Sequence, residues 1–501
     1  MPASGGMAAR VLARPRSAHL SAAARLKRIS YLLIGLALLC LPFADLSVTH
    51  SEPRAELVRM LSGLAHPAWQ QWSVLAQALA HTVAFALLAV AGASALGLLL
   101  ALCFHQRWVR LLCAIIRSVH ELFWGLLLMQ MLGLGALTGV LAIMVPYSGV
   151  FARVFAEILE RQSPLPERTI APASDPVSRY SYTRLAQAWG ELRSYTRYRF
   201  ECALRSSAIL GFIGLPTLGF HLETAFRQGQ YDQGSAILLT FFALIASIRF
   251  WLHPRLLPVL LGLAWCFLPD SPPVQAGYVW QFISHDIWPK PLLDGDLYGA
   301  WHWYANLFGE VALPAVIDTL LLSQLALVLS GFLALLCYGL ACRSLVSSLV
   351  YLAGHGLLLI MRSTPEIVFA FVLLLLFGPS SLPAVLALAI HNGGLIAYLL
   401  AARAAQLPLR PDAATGLNRY LYEVTPRLYA GFIALLLYRW EVILRESAIL
   451  GILGVTTLGF YIDSAFEDIR YDRALLLIII AALLNIGIDG LARRMQAAAT
   501  R

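Results

Sequence analysis

Apolar stretches long enough to cross roughly 30 Å of hydrocarbon, or nearly so with tilt, follow one another along almost the whole chain. They lie near residues 30–48, 74–104, 111–134, 136–156, 184–206, 235–252, 255–269, 314–342, 346–378, 382–403, 427–449 and 473–492. Hydrocarbon offers the backbone no hydrogen-bond partner, so runs of this kind span as helices that bond internally. The expectation is an all-α polytopic membrane protein with about 12 transmembrane helices. The 184–206 run is unusual in carrying several charges, and the 255–269 run in being short. Composition agrees: with 59% hydrophobic and 13% charged residues, no stretch of the 501 is polar for long enough to form a soluble domain, which excludes a soluble enzyme.

Charge sets the orientation. Arg10, Arg14, Arg16, Arg25, Lys27 and Arg28 lead into the first run with no small-residue cleavage site, so residues 1–29 read as a basic cytoplasmic segment. Counting sides from there puts Arg107 and Arg110, Arg161 to Arg197, Arg403 to Arg427, and Arg493 with Arg494 inside, and both termini in the cytoplasm. The longest outer connection, 270–313, holds Asp270, Asp286, Asp294, Asp296 and Glu310 against Lys290 alone, with Trp280, Trp288, Trp301 and Trp303 suited to the membrane boundary. The arginines behind the net charge of +9 are scattered between apolar runs and gather on no nucleic-acid face. The seven cysteines form no CxxC pair and no ligand set with histidine, so neither a metal nor a cofactor is expected.

The chain is also a duplication. YRFECALRSSAILGFIGLPTLGF begins at Tyr198 and YRWEVILRESAILGILGVTTLGF at Tyr438, without a gap, and the match continues through Tyr231-Asp232 against Tyr471-Asp472. Upstream, Arg117-Ser-x-x-Glu121 echoes Arg362-Ser-x-x-Glu366. The repeats are read as 30–252 and 253–501, the second opening with a leading helix and long outer loop over 253–313. Each holds an even number of spans, so they lie in parallel about an axis along the membrane normal, and a pathway belongs between them.

A charge at the bilayer centre costs at least about 2.5–3.5 kcal/mol, so the membrane-depth ions need partners or water. Arg117 with Glu121, Arg362 with Glu366, Glu201 with Arg205, and Glu441 with Arg445 are spaced i,i+4, which predicts four neutralising pairs that pin helices. The other reading has Arg205 and Arg445 present positive charge to a passing anion, tuned by Glu201 and Glu441. Beyond them, Gly211, Gly214 and Gly219, mated to Gly451, Gly454 and Gly459, predict a helix break. Such a break either turns N–H groups towards a cavity or makes a tight outer turn. Tyr147-Ser148 and His391-Asn392 are matching polar pairs suited to hydrogen bonds between helices.

These repeated motifs, Tyr-Arg-(Phe/Trp)-Glu, then Arg, Ser-Ala-Ile-Leu-Gly and a glycine-spaced Leu-Gly-Phe, resemble the permease subunit of phosphonate-type ABC importers. The likeness covers roughly 74–252 and 314–492. It implies two fused copies of a type I importer permease in a bacterial inner membrane. That permease would work with two cytoplasmic ABC ATPase subunits and a periplasmic substrate-binding protein to import phosphonate, phosphite or a related oxyanion by alternating access. The chain would be a transport subunit and no enzyme, and no GxxxxGK[ST] occurs in it. The resemblance also places ATPase-coupling loops around Glu167, Ala173 and Gln187 in one half and Gly416 and Pro426 in the other. It places a gate at Gly214, Thr217 and Gly219 with Gly454, Thr456, Thr457 and Gly459, where the central glycine pair of the family is replaced by Pro216-Thr217 and Thr456-Thr457. A permease for another solute such as an amino acid, a passive channel and a membrane-embedded enzyme are the competing readings. The last would call for grouped ligands such as HxxxH or HExxH, absent among the twelve histidines.

Overall fold

The computed structural model describes residues 16–500 other than 51, 70–71, 171–173, 411 and 413. It is 82% helical with no strand among the described residues, the all-α fold that the apolar runs predict. The first half contains α1 (Arg16–Cys40), α2 (Pro53–Ala65), α3 (Trp72–Leu102), α4 (Arg107–Ser118), α5 (Glu121–Leu132), α6 (Ala136–Arg161), α7 (Ala186–Ile209), α8 (Leu218–Arg227) and α9 (Tyr231–Trp251). The second contains α10 (Leu257–Cys266), α11 (Ala276–Gln281), α12 (Leu313–Cys337), α13 (Ser348–Ser363), α14 (Glu366–Phe377), α15 (Ser381–Ala404), α16 (Thr425–Ser447), α17 (Leu458–Glu467) and α18 (Tyr471–Thr500). The basic segment is not a separate unit: α1 begins at Arg16 and carries it into the first span, and residues 1–15 lie outside the described residues.

Among the described residues seven helices are long and apolar enough to cross a membrane. Four bent pairs do so jointly: α4 with α5 at 92°, α13 with α14 at 95°, the segment ending in α7 with α8 at 52°, and the segment holding α16 with α17 at 44°. That makes up to 11 spans, where the sequence gives about twelve. The difference is the 255–269 run, in which only Leu257–Cys266 is helical, a length of about 15 Å. The chain then continues without helix to Ser271, whose Oγ lies 3.4 Å from the Leu137 amide near the start of α6.

The two halves are interleaved. The leading helix α1 packs on α12 of the second half, where the Gln324 side-chain amide donates to the Leu33 carbonyl at 2.9 Å, and α10 packs on α3 of the first. The connections beyond them cross over as well. The Thr49 amide donates to Phe377 O at 2.8 Å and the Ser381 amide to Asp45 O at 2.9 Å, at the α14–α15 turn. Ser271 and Pro272 lie against Gly133 and Gly135 at the matching α5–α6 turn.

Each half also breaks between its long charged helix and the short helix after it. Gly214 and Gly454 close the break with φ of 93° and 85°, a left-handed conformation natural to glycine. Gly219 and Gly459 then approach Ala208 and Ala448 so closely that a Cβ would overlap the carbonyl oxygen. Gly459→Ala should therefore lower the thermal unfolding temperature of the purified protein, whereas Gly487→Ala in α18, with open space around it, should not. Equal melting temperatures for the two variants would contradict this packing.

Candidate functional site

The site is built around two more breaks, those between α4 and α5 and between α13 and α14. In the second half Pro365 lacks an N–H and disfavours a helical Thr364, so α13 stops at Ser363. In the first half no proline is present. There Val119 and His120 are extended, and the His120 ring accepts from the Leu122 amide at 3.1 Å as the cap of α5. A broken helix leaves C-terminal carbonyls and N-terminal amides without partners. Glu121 and Glu366 each occupy the first turn of the second piece, where a carboxylate suits the helix dipole.

One carbonyl at each break is bonded from the opposite half. Arg445 on α16 donates through Nη1 to Arg117 O at 3.0 Å, and Arg205 on α7 donates through Nη1 to Arg362 O at 2.9 Å. The same two helices hold the side chains of those residues. Glu441 accepts from Arg117 at 2.7 Å, and Glu201 stands 3.8 Å from Arg362. The i,i+4 pairing expected from the sequence is thus corrected. The breaks turn Glu121 and Glu366 away from Arg117 and Arg362, and Glu201 and Glu441 reach across the interface rather than along their own helices. Among the described residues Arg205 and Arg445 have no carboxylate within 4.0 Å.

Arg117 has a second acidic partner that sequence reasoning missed, Asp489 on α18 at 2.5 Å, which Arg493 also holds at 3.0 Å. Its counterpart Arg362 lies instead 4.1 Å over the Tyr398 ring. The surroundings of the two glutamates differ as well. Glu121 accepts from the Ser206 hydroxyl at 2.6 Å, which is 2.9 Å from Tyr147 Oη, and Arg199 lies over the Tyr147 ring. In the second half the places of Ser206 and Tyr147 are taken by Glu446 and Asn392, and His391 stands where the first half has Pro146. Asn392 donates to Glu446 at 3.0 Å and accepts from Arg439 at 2.7 Å, while His391 Nε2 is 3.8 Å from Glu366. Ser148 departs from the expected role, bonding Val145 O in its own helix.

Glu366, His391 and Glu446 offer ligand atoms within 4.8 Å of one another, the geometry of a small cation site. Arg205 Nη1 lies 3.4 Å from His391 Nε2 and Arg439 Nη2 lies 3.6 Å from Glu446, so two guanidiniums crowd a cation there. The glycine breaks stand apart from this cluster. The first amide of α8, from Leu218, is taken by Thr82 Oγ1 at 2.9 Å, and that of α17, from Leu458, by Thr319 Oγ1 at 3.0 Å. Thr217 and Thr457 are buried with hydroxyls lacking a partner, and Thr456 is exposed.

On the N-terminal face, Glu167 pairs with Arg184, the Gln187 amide donates to Ser163 O at 3.3 Å, and Pro426 lies in the first turn of α16. Ala173 lies outside the described residues. The loops hold features that sequence reading overlooked: Tyr182 and Tyr422, at matching positions of the duplication, are 81% and 78% exposed, next to exposed Val177 and Leu417. The unbroken repeat register was the available signal for them.

Breaking a buried pair strands its partners. Arg117→Gln, which would strand Glu441 and leave Asp489 to Arg493, should lower the melting temperature more than Arg362→Gln, whose partner Glu201 is partly solvated. The reverse order in a thermal scan would contradict this reading of the pairs.

The chain is similar to the phosphate-import permease protein PhnE of Mycolicibacterium smegmatis, 24% identical over 418 residues, 77% of this chain and 76% of that one. It is 32% identical over 140 residues to the phosphite transport system permease protein PtxC of Stutzerimonas stutzeri, 28% of this chain and 51% of that relative. It is 29% identical over 111 residues to PhnE2 of Escherichia coli, named for a cryptic phosphonate transport system, 22% of this chain and 91% of that one. No family model matches the chain, and no solved structure matches it. The likeness to phosphonate-type permeases carried by the motifs therefore extends to relatives along most of the chain.

Proposed function

We propose that this chain is the membrane-spanning permease of an ATP-driven importer for phosphonate, phosphite or a related small phosphorus oxyanion. The observation that carries the anionic substrate is the condition of Arg205 and Arg445. A guanidinium has five N–H donors in a fixed fork. Arg445 spends one on a helix-end carbonyl, and Arg205 spends its contacts on a carbonyl, an imidazole and a thiol, none of them anionic. Two half-buried guanidiniums at repeat-related positions, their expected glutamates engaged elsewhere, suit a tetrahedral oxyanion. The phosphate, phosphite and phosphonate names of the relatives point to the same chemistry.

The two halves, 30–252 and 253–501, move against each other in this reading. Since each leading helix packs on the other half, the bodies that rock are the cores beginning at α3 and α12, each carrying the leading helix of its mate. Two cytoplasmic ATPase subunits dock on the loops around Glu167, Ala173 and Gln187 and around Gly416 and Pro426, where Tyr182 and Tyr422 project. A periplasmic binding protein delivers the solute to the opposite face. The breaks at Gly214, Thr217 and Gly219 and at Gly454, Thr456, Thr457 and Gly459 flank the path. With α10 and the non-helical chain to Ser271 making a twelfth crossing, the basic ends, with Lys27, Arg28, Arg493 and Arg494, both lie on the cytoplasmic side of a bacterial inner membrane.

Arg205→Gln and Arg445→Gln should each lower phosphite or phosphonate uptake by roughly one to two orders of magnitude at normal membrane abundance, the loss expected for a charge-assisted hydrogen bond of about 1.5–3 kcal/mol. Uptake at the unsubstituted rate in both would remove the arginines from the path. Complexes purified with the ATPase should hold one copy of this chain to two of the ATPase. Tyr182→Ala with Tyr422→Ala should release the ATPase from the membrane; full retention would take the two tyrosines out of the interface.

A further inference from the structure

The helix α2 presents three faces. Towards the protein it turns Glu56, Met60 and Gly63. The Glu56 carboxylate accepts from the Tyr231 hydroxyl and pairs with Arg59, and Gly63 lies so close to the start of α9 that a Cβ would stand 2.5 Å from Tyr231 Cβ. A second face carries Leu57, Val58, Leu61 and Leu64, exposed by 43%, 66%, 54% and 52%. Residues 57, 61 and 64 are spaced i, i+4, i+7 and form one stripe along the helix. The third face, with Glu52, Arg59, Ser62 and His66, is polar and exposed. A helix on the surface of a soluble protein turns its leucine stripe inward; α2 packs with a glutamate and turns its leucines outward.

A helix with one face on protein, one apolar and one polar fits the line where protein, lipid and water meet. Its place in the chain agrees. It lies between the ends of two membrane spans, after the exposed Phe43 beyond α1 and before the exposed Trp69 and Trp72 at the start of α3, residue types that favour the membrane boundary. Arg54, a turn earlier on the apolar side, has a stem long enough to carry its charge back to water.

We infer that α2 is an interfacial helix whose Leu57, Val58, Leu61 and Leu64 insert into the headgroup and acyl boundary of the leaflet opposite the N-terminus. The inference rests only on the chain spanning a bilayer and stands apart from the identity of the solute. Its consequence is mechanical. The chain just ahead of α2 is bonded to the α14–α15 turn of the second half, and α2 itself to α9 of the first, so one lipid-seated helix touches both halves.

The test places single cysteines at 59, 61, 62 and 64 in the full chain freed of its native cysteines, attaches a spin label, and reconstitutes each in nanodiscs of phosphatidylcholine and phosphatidylglycerol. Power saturation should give a higher ratio of oxygen to nickel-chelate accessibility at 61 and 64 than at 59 and 62, and an environment-sensitive fluorophore on the same cysteines should emit further to the blue at 61 and 64. All four substitutions fall on exposed positions outside the packed face, so the helix keeps its seat on Tyr231. Equal ratios at all four would put the stripe in water, as a surface for a soluble partner, and overturn the proposal; labels at 61 and 64 closed to both reagents would mean protein covers the stripe and would overturn it too.

Discussion

Everything near the centre of this molecule depends on one arrangement made twice: a helix from one half holding both ends of an arginine residue in the other. Glu441 takes the Arg117 side chain while Arg445 takes its carbonyl, and Glu201 and Arg205 address Arg362 in the same way. The need arises from the breaks. A helix interrupted in apolar surroundings exposes carbonyls that no water reaches, each costing several kcal/mol if left bare. Each half meets part of this need itself, with Trp124 donating to Ile116 O at 3.2 Å and His391 Nδ1 2.8 Å from Thr364 O, but the carbonyls of Arg117 and Arg362 are bonded from across the interface. The arginines that do this reach the interface with their glutamates already engaged by Arg362 and Arg117.

Fusion of the two copies permits an asymmetry that two identical chains cannot have. Glu446, Asn392 and His391 in the second half stand where the first has Ser206, Tyr147 and Pro146. Glu121 accepts from a hydroxyl and lies 3.3 Å from His120, whereas Glu366 lies 3.8 Å from His391 and within 4.8 Å of a second carboxylate, Glu446. The added negative charge of Glu446 is met by Arg439, the mate of Arg199, which in the first half lies over a tyrosine ring instead. The arginine was kept while its partner changed from a ring to a carboxylate.

The fold was legible because its determinants are local. Apolar runs mark the spans, and a register shared by Tyr198 and Tyr438 marks the duplication. Glycines separated by a few residues mark the breaks at Gly214 and Gly454. The ion pairs were not legible from spacing, since i,i+4 arithmetic assumes one continuous helix. Between Arg117 and Glu121 the helix ends and turns through 92°. Proline at 365 announces that ending in one copy, but the other relies on His120, whose capping role depends on a ring orientation the sequence does not display. Asp489 has an arginine at its matching position, Arg249, so the repeat offered no hint of its bond to Arg117. In the short twelfth run hydropathy includes Phe267 and Leu268, although the helix has already ended at Cys266.

The two holds are unequal, and the inequality bears on how such a molecule opens. Arg117 is nine-tenths buried and bonded at 2.7 and 2.5 Å to two carboxylates, so separating it strands charge in a medium that solvates it poorly. Arg362 meets a single carboxylate at 3.8 Å, both side chains reach solvent, and an aromatic face shares the cation. With side chains 25% and 31% exposed, this pair costs less to part than the buried one. An interface that is two-fold in sequence is therefore stiff on one side and compliant on the other. Separating Arg362 from Glu201 therefore costs less than separating Arg117 from Glu441 and Asp489.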